Sequence, residues 1–178
     1  MIFVLDKSSN VTEVEFEMQM SFISLLLKDH KAPQGAVQVA VMICGDNETT
    51  YSPFTQDISP SSSIYLPPTS LYETDSTRHC LDNLNLMFKT KSRDGVARQA
   101  VILRGSWEWN HEQAKVYARN AKHDDTVVVV IAIGMKKFDS LSSLQLLATG
   151  ESTYFVLSKF EHLKNLATVL AKDNCKRK

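Results

Sequence analysis

The run Val127-Val128-Val129-Val130-Ile131-Ala132-Ile133 constrains the fold more than any other part of the chain. An uninterrupted apolar stretch of this length reads as a strand buried on both faces, which happens where a parallel sheet is covered by helices on either side. The flanking segments carry helical spacing. Ala114, Tyr117, Ala118 and Ala121 precede the run, small enough for their helix to lie close to a sheet, and Leu141, Leu144 and Leu147 follow it.

The same alternation continues along the chain. Residues 2–5 form a short apolar strand, followed by two helical stripes, Val11, Val14, Met18, Phe22 and Leu25 beside Phe16, Met20, Ile23 and Leu27. Two stripes predict a helix buried widely, as a central one would be. A breaker-rich loop over 28–35 leads to a strand over 36–44, and residues 49–54 read as a short edge strand after the Gly45-Asp46-Asn47 turn. Residues 55–74 are rich in Ser and Pro, which predicts irregular structure with at most one short helix. Leu81, Leu84 and Phe88 mark a helix, 97–103 a strand after the Arg93-Asp94-Gly95 turn, 154–157 a last strand, and Phe160, Leu163, Leu166 and Leu170 a final amphipathic helix. Strands alternating with helices in this way indicate a three-layer, doubly wound α/β sheet. With 178 residues and 43% apolar content the chain supports one core, so residues 1–172 are read as a single domain and 173–178 as a polar, basic tail.

Charge and motif content exclude several function classes. Twenty basic residues balance twenty acidic ones, which argues against a nucleic-acid partner. Apolar runs of about six to eight residues fall far short of the roughly 20 needed to cross a bilayer. The sequence has no phosphate-binding glycine motif and no nucleophile elbow, and its five histidines form no i, i+4 pair enclosing a carboxylate. No cofactor and no catalysis are therefore expected: Ser8 or Ser9 beside Asp6 has no base placed to activate it. Three cysteines, Cys44, Cys80 and Cys175, leave at least one thiol free or available to another chain, and spacing alone does not pair them. Asn10-Val11-Thr12 and Asn47-Glu48-Thr49 are glycosylation sequons, relevant only in a secreted protein.

Phe3-Val4-Leu5-Asp6-Lys7-Ser8-Ser9-Asn10, entering a helix, resembles the first strand and D-x-S-x-S loop of von Willebrand factor A domains. The resemblance extends in order through Val37 to Val41, the segment Asp75-Ser76-Thr77-Arg78-His79-Cys80-Leu81, the run ending at Gly134 with the helix after it, and Tyr154-Phe155-Val156 with Phe160-Glu161-His162-Leu163. It covers nearly the whole chain. It implies a mostly parallel six-stranded sheet with one antiparallel edge strand and helices on both faces. It also implies a divalent cation at the carboxyl edge of the sheet, held by the Asp and two Ser of D-x-S-x-S, by a Thr before the next helix, and by an Asp ending the fourth strand.

At those positions this chain carries Asp6 and Ser8, but Asn10 replaces the second Ser, Asp75 (in the register that fits the following helix) replaces the Thr, and Arg104 replaces the metal-facing Asp. A guanidinium offers no lone pair to a hard cation, so metal binding is expected to be lost. One reading has Arg104 supplying the missing positive charge between Asp6 and Asp75. A second has it pointing into water, and a third keeps a cation on Asp6, Ser8, Asn10 and Asp75. Trp107 and Trp109, just beyond Arg104, are either a partner-binding rim or packing for a neighbouring helix.

The resemblance implies a protein or extracellular-matrix ligand, in a secreted module of a larger protein. The alternatives are a structural spacer in a matrix assembly and an intracellular scaffold. Partner identity and oligomeric state are not legible in the sequence.

Overall fold

The computed structural model describes residues 1–28, 37–46, 49–52, 54, 76–105, 111–134 and 138–174. Six strands, β1 (Ile2–Lys7), β2 (Ala40–Gly45), β3 (Thr49–Tyr51), β4 (Arg98–Arg104), β5 (Thr126–Ile133) and β6 (Tyr154–Leu157), form one sheet in the order β3-β2-β1-β4-β5-β6. Only β3 runs antiparallel, against β2; every other pairing is parallel. Five helices cover it: α1 (Glu13–Lys28), α2 (Ser76–Lys91), α3 (His111–His123), α4 (Phe138–Leu147) and α5 (Leu163–Asn174).

Side chains alternate across a strand, and here the alternation sorts the core into two layers. Ile2, Val4, Met42, Ile102, Val128 and Val130 face one way and pack with Leu81, Leu84 and Phe88 of α2, Ala114, Tyr117 and Ala121 of α3, and Leu144 and Leu147 of α4. Phe3, Leu5, Val41, Leu103, Val129 and Ile131 face the other way and pack with Phe22, Ile23 and Leu26 of α1 and Leu163 and Leu166 of α5. The valine run is thus a β-strand with both faces covered, as its composition requires.

The first helix corrects an expectation. Its buried residues are Phe16, Gln19, Phe22, Ile23, Leu26 and Leu27, while Val14 is 59% and Leu25 36% exposed. Only one face of α1 is therefore buried, because the helix lies on the sheet beside α5 and is not surrounded. Its start is set by a capping box: the Thr12 hydroxyl accepts the Glu15 amide at 3.3 Å, and the Glu15 carboxylate accepts the Thr12 amide at 2.8 Å. The strand expected over 36–44 begins at Ala40, and the fourth strand runs one residue further than expected, to Arg104. A disulfide joins Cys44 at the end of β2 to Cys80 in α2, answering the pairing that spacing left open. The whole Ser- and Pro-rich stretch, 55–74, lies outside the described residues, as does the polar tail read over 173–178 apart from its first two residues, which belong to α5.

Candidate functional site

The connections place a topological switch between β1 and β4. From β1 the chain passes through α1 to β2 on one side; from β4 it passes through α3 to β5 on the other, and the two helices lie on opposite faces of the sheet. Open α/β sheets bind ligands outside the carboxyl ends of the strands at such a point. Buried polar side chains gather there: Asp6 and Gln19 are 0% exposed, Arg104 2% and Ser8 3%.

Asp6 lies one residue before the end of β1 and Arg104 ends β4. Asp6 pairs in register with Cys44 of β2, and continuing the β1–β4 register beyond Val4 and Ile102 sets it beside Arg104. By alternation Cys44, Asp6 and Arg104 form one row on the face covered by α2, α3 and α4.

The Asp6 carboxylate is fully engaged. Its Oδ1 accepts the Ser8 amide at 3.0 Å and lies 3.4 Å from Arg104 Nη1, and its Oδ2 accepts the Gly105 amide at 2.8 Å. Gln19 of α1 locks the backbone of the same residue: Asp6 N–H donates to Gln19 Oε1 at 2.9 Å, and Gln19 Nε2 donates to the Asp6 carbonyl at 2.8 Å. The next turn is tied in as well, since the Ser9 amide donates to Asp46 Oδ2 at 3.0 Å. Burial pushes the Arg104 pKa below its ordinary value, while the negative charges of Asp6 and then Asp46 pull it back up. A guanidinium starts so far above neutrality that it stays charged, so its burial rests on those two carboxylates.

Gly105 is required by close approach. A Cβ added there would stand 2.7 Å from Phe160 Cζ and 3.2 Å from Val11 Cγ2. The residue whose amide holds Asp6 thus lies close against the edge of the Phe160 ring.

The structure therefore brings Asp6, Ser8 and Arg104 together. Asn10 is exposed, and among the described residues no hydrogen bond joins it to Asp6. The expected bridge from Arg104 to Asp75 falls outside the described residues, as do Trp107, Trp109 and Asn47; Arg104 meets Asp6 and lies within electrostatic reach of Asp46. Sequence reasoning missed Asp46, which it used only as a turn residue, and Gln19. The signal for Gln19 was present: it is the one polar residue on the buried face of α1.

The model of the von Willebrand factor type A domain matches residues 1–169. No curated protein sequence matches the chain. Among solved structures it is similar to proximal thread matrix protein 1 from the mussel byssus, with a TM-score of 0.77 at 13% identity over 98% of this chain and 46% of that one. It is also similar to the SpRpn10 VWA domain, with a TM-score of 0.70 at 15% identity over 94% and 93% of the two chains. A third likeness is to the pilus adhesin SpaC from Lactobacillus rhamnosus GG, with a TM-score of 0.70 at 13% identity over 97% of this chain and 30% of that one. The chain thus spans less than half the length of the byssus protein and under a third of the adhesin. Strand order, helix placement and the family match lead to one conclusion: the chain belongs to the von Willebrand factor type A domain family.

Proposed function

We propose that this domain is a non-catalytic protein-binding module, of the adhesion or matrix type, whose recognition rim works without a divalent cation. Domains of this family commonly serve as protein-interaction or adhesion modules, and the rim at the switch point is where an α/β sheet of this order receives a ligand. The observation that carries the cation-free reading is Arg104, 2% exposed and 3.4 Å from the buried carboxylate of Asp6.

The donor set does not suit Mg²⁺ or Ca²⁺. Such ions need several free oxygen ligands, whereas both Asp6 oxygens already accept amide hydrogen bonds and one also faces a guanidinium. A fixed positive charge, Arg104, stands 3.4 Å from the carboxylate that the family resemblance makes a cation ligand. Recognition then cannot consist of a partner carboxylate completing a cation's shell, and it falls to the shape and polar groups of the rim. The non-catalytic reading rests on the sequence, which places no histidine by motif to act as base for a serine beside Asp6 and carries no nucleophile elbow. The buried Cys44–Cys80 disulfide supports folding in an oxidising compartment, and with it the secreted placement.

Thermal unfolding with excess Mg²⁺, Mn²⁺ or Ca²⁺, and separately with EDTA, tests the reading. A cation bound only by the folded state raises stability by about 2.7 kcal/mol at a hundred times its dissociation constant. The expected result is one melting temperature under all four conditions. A rise with any cation, reversed by chelator, overturns the cation-free rim.

A further inference from the structure

We propose that the Cys44–Cys80 disulfide is a positioning element of the rim. With the Arg104–Asp6 pair it supplies, inside the chain, the cross-links that order the carboxyl edge of the sheet, so this order depends on thiol oxidation and not on divalent cations. The inference rests on the cation-free reading above and adds what replaces the ion.

Three placements carry it. First, Cys44 is the register partner of Asp6 and shares its face of the sheet, so disulfide, carboxylate and guanidinium occupy neighbouring strands in one row. Adjacent strands lie about 4.8 Å apart, which makes them immediate neighbours. Second, the bond ties β2 to the first turns of α2, the helix that roofs that face, and both sulfur-bearing residues are buried, Cys44 at 1% and Cys80 at 0% exposure. Third, Asp46 follows Cys44 by two residues, accepts the Ser9 amide and contributes to the field around Arg104. The bond closes a sequence separation of 36, so a single link anchors the strand end bearing Asp46 and the helix above it.

The two links divide the work. Arg104 joins the ends of β4 and β1 by charge; the disulfide joins the end of β2 to α2 by a covalent bond. A dithiol reductant would convert the pair to two thiols, taking up none of the sulfur itself and leaving as its own cyclic disulfide. The strand end and the helix would then separate independently, and water would reach the buried pair.

Amide hydrogen exchange on the whole domain tests this, with Ser9 and Gly105 reporting on the rim and Ile131 on the sheet interior. A loss of global stability alone raises the exchange of all globally protected amides by one factor, whereas a rim-specific role adds local opening. In Cys44→Ala plus Cys80→Ala, protection at Ser9 and Gly105 is expected to fall at least about tenfold more than at Ile131. EDTA on the oxidised protein is expected to change none of the three. An equal fall at all three sites overturns the positioning role and leaves the cation-free reading intact. Rim opening under EDTA overturns the cation-free reading itself.

Discussion

The sheet interior and the carboxyl rim of this domain are equally dry and are held by opposite means. In the interior, Ile102 and Ile131 are 0% exposed and need nothing from their neighbours beyond close packing. At the rim, Asp6 and Arg104 are 0% and 2% exposed, and each leans on the opposite charge of the other as well as on nearby polar groups. A packed methyl group tolerates losing a neighbour at a graded cost. A buried charge that loses its partner is left in a medium that does not solvate it. The difference teaches where the sequence is free to vary without loss of the fold and where it must change in concert.

The largest expected effect separates the two regimes. Arg104→Ala, which strands the Asp6 carboxylate, should lower unfolding stability by about 3–5 kcal/mol in urea titration. Removing both charges together, Asp6→Asn with Arg104→Met, should cost clearly less than the two single changes summed. Costs that simply add would show that the pair is not the unit that matters. Next comes Gln19→Leu, which keeps the volume of the side chain but leaves the Asp6 amide and carbonyl without their partner, at about 1–3 kcal/mol. If that variant is as stable as the parent, the helix does not hold β1 by its amide. The interior control is Ile131→Val, expected to cost about 0.5–1.5 kcal/mol by the same titration, without altering exchange at Ser9. Of similar size is Thr12→Ala, about 1 kcal/mol for the lost cap of α1, a change in helix stability that should leave the Asp6–Arg104 coupling untouched.

How much of this was legible in the sequence differs between the same two regions. The interior is written in local patterns, so the valine run, the apolar run of β1 and the stripe of α5 each declare their burial without reference to one another. The two stripes on α1 misled because Val14 and Leu25 are spaced for a second apolar face that the fold exposes, and spacing cannot tell a covered stripe from an uncovered one. The rim is assembled from distant segments. Asp6 and Arg104 are legible only through the family's loop pattern, since they lie 98 positions apart in the chain and no local period links them. Asp46 was missed, and the pairing of Cys44 with Cys80 was left open, for the same reason: each depends on which strand lies beside which, and Asp46 by itself looks like any turn aspartate.

The two strands at the sheet's margins are short: β3 spans three residues, Thr49–Tyr51, and β6 four, Tyr154–Leu157. A sheet margin is a template onto which a foreign strand can add its own backbone, and the strength of that addition grows with the number of residues it can align. Among the described residues an incoming strand would find at most four on one side and three on the other. Margins this brief are poor templates for the growth of a foreign strand, whatever surface the domain uses for its proper partner.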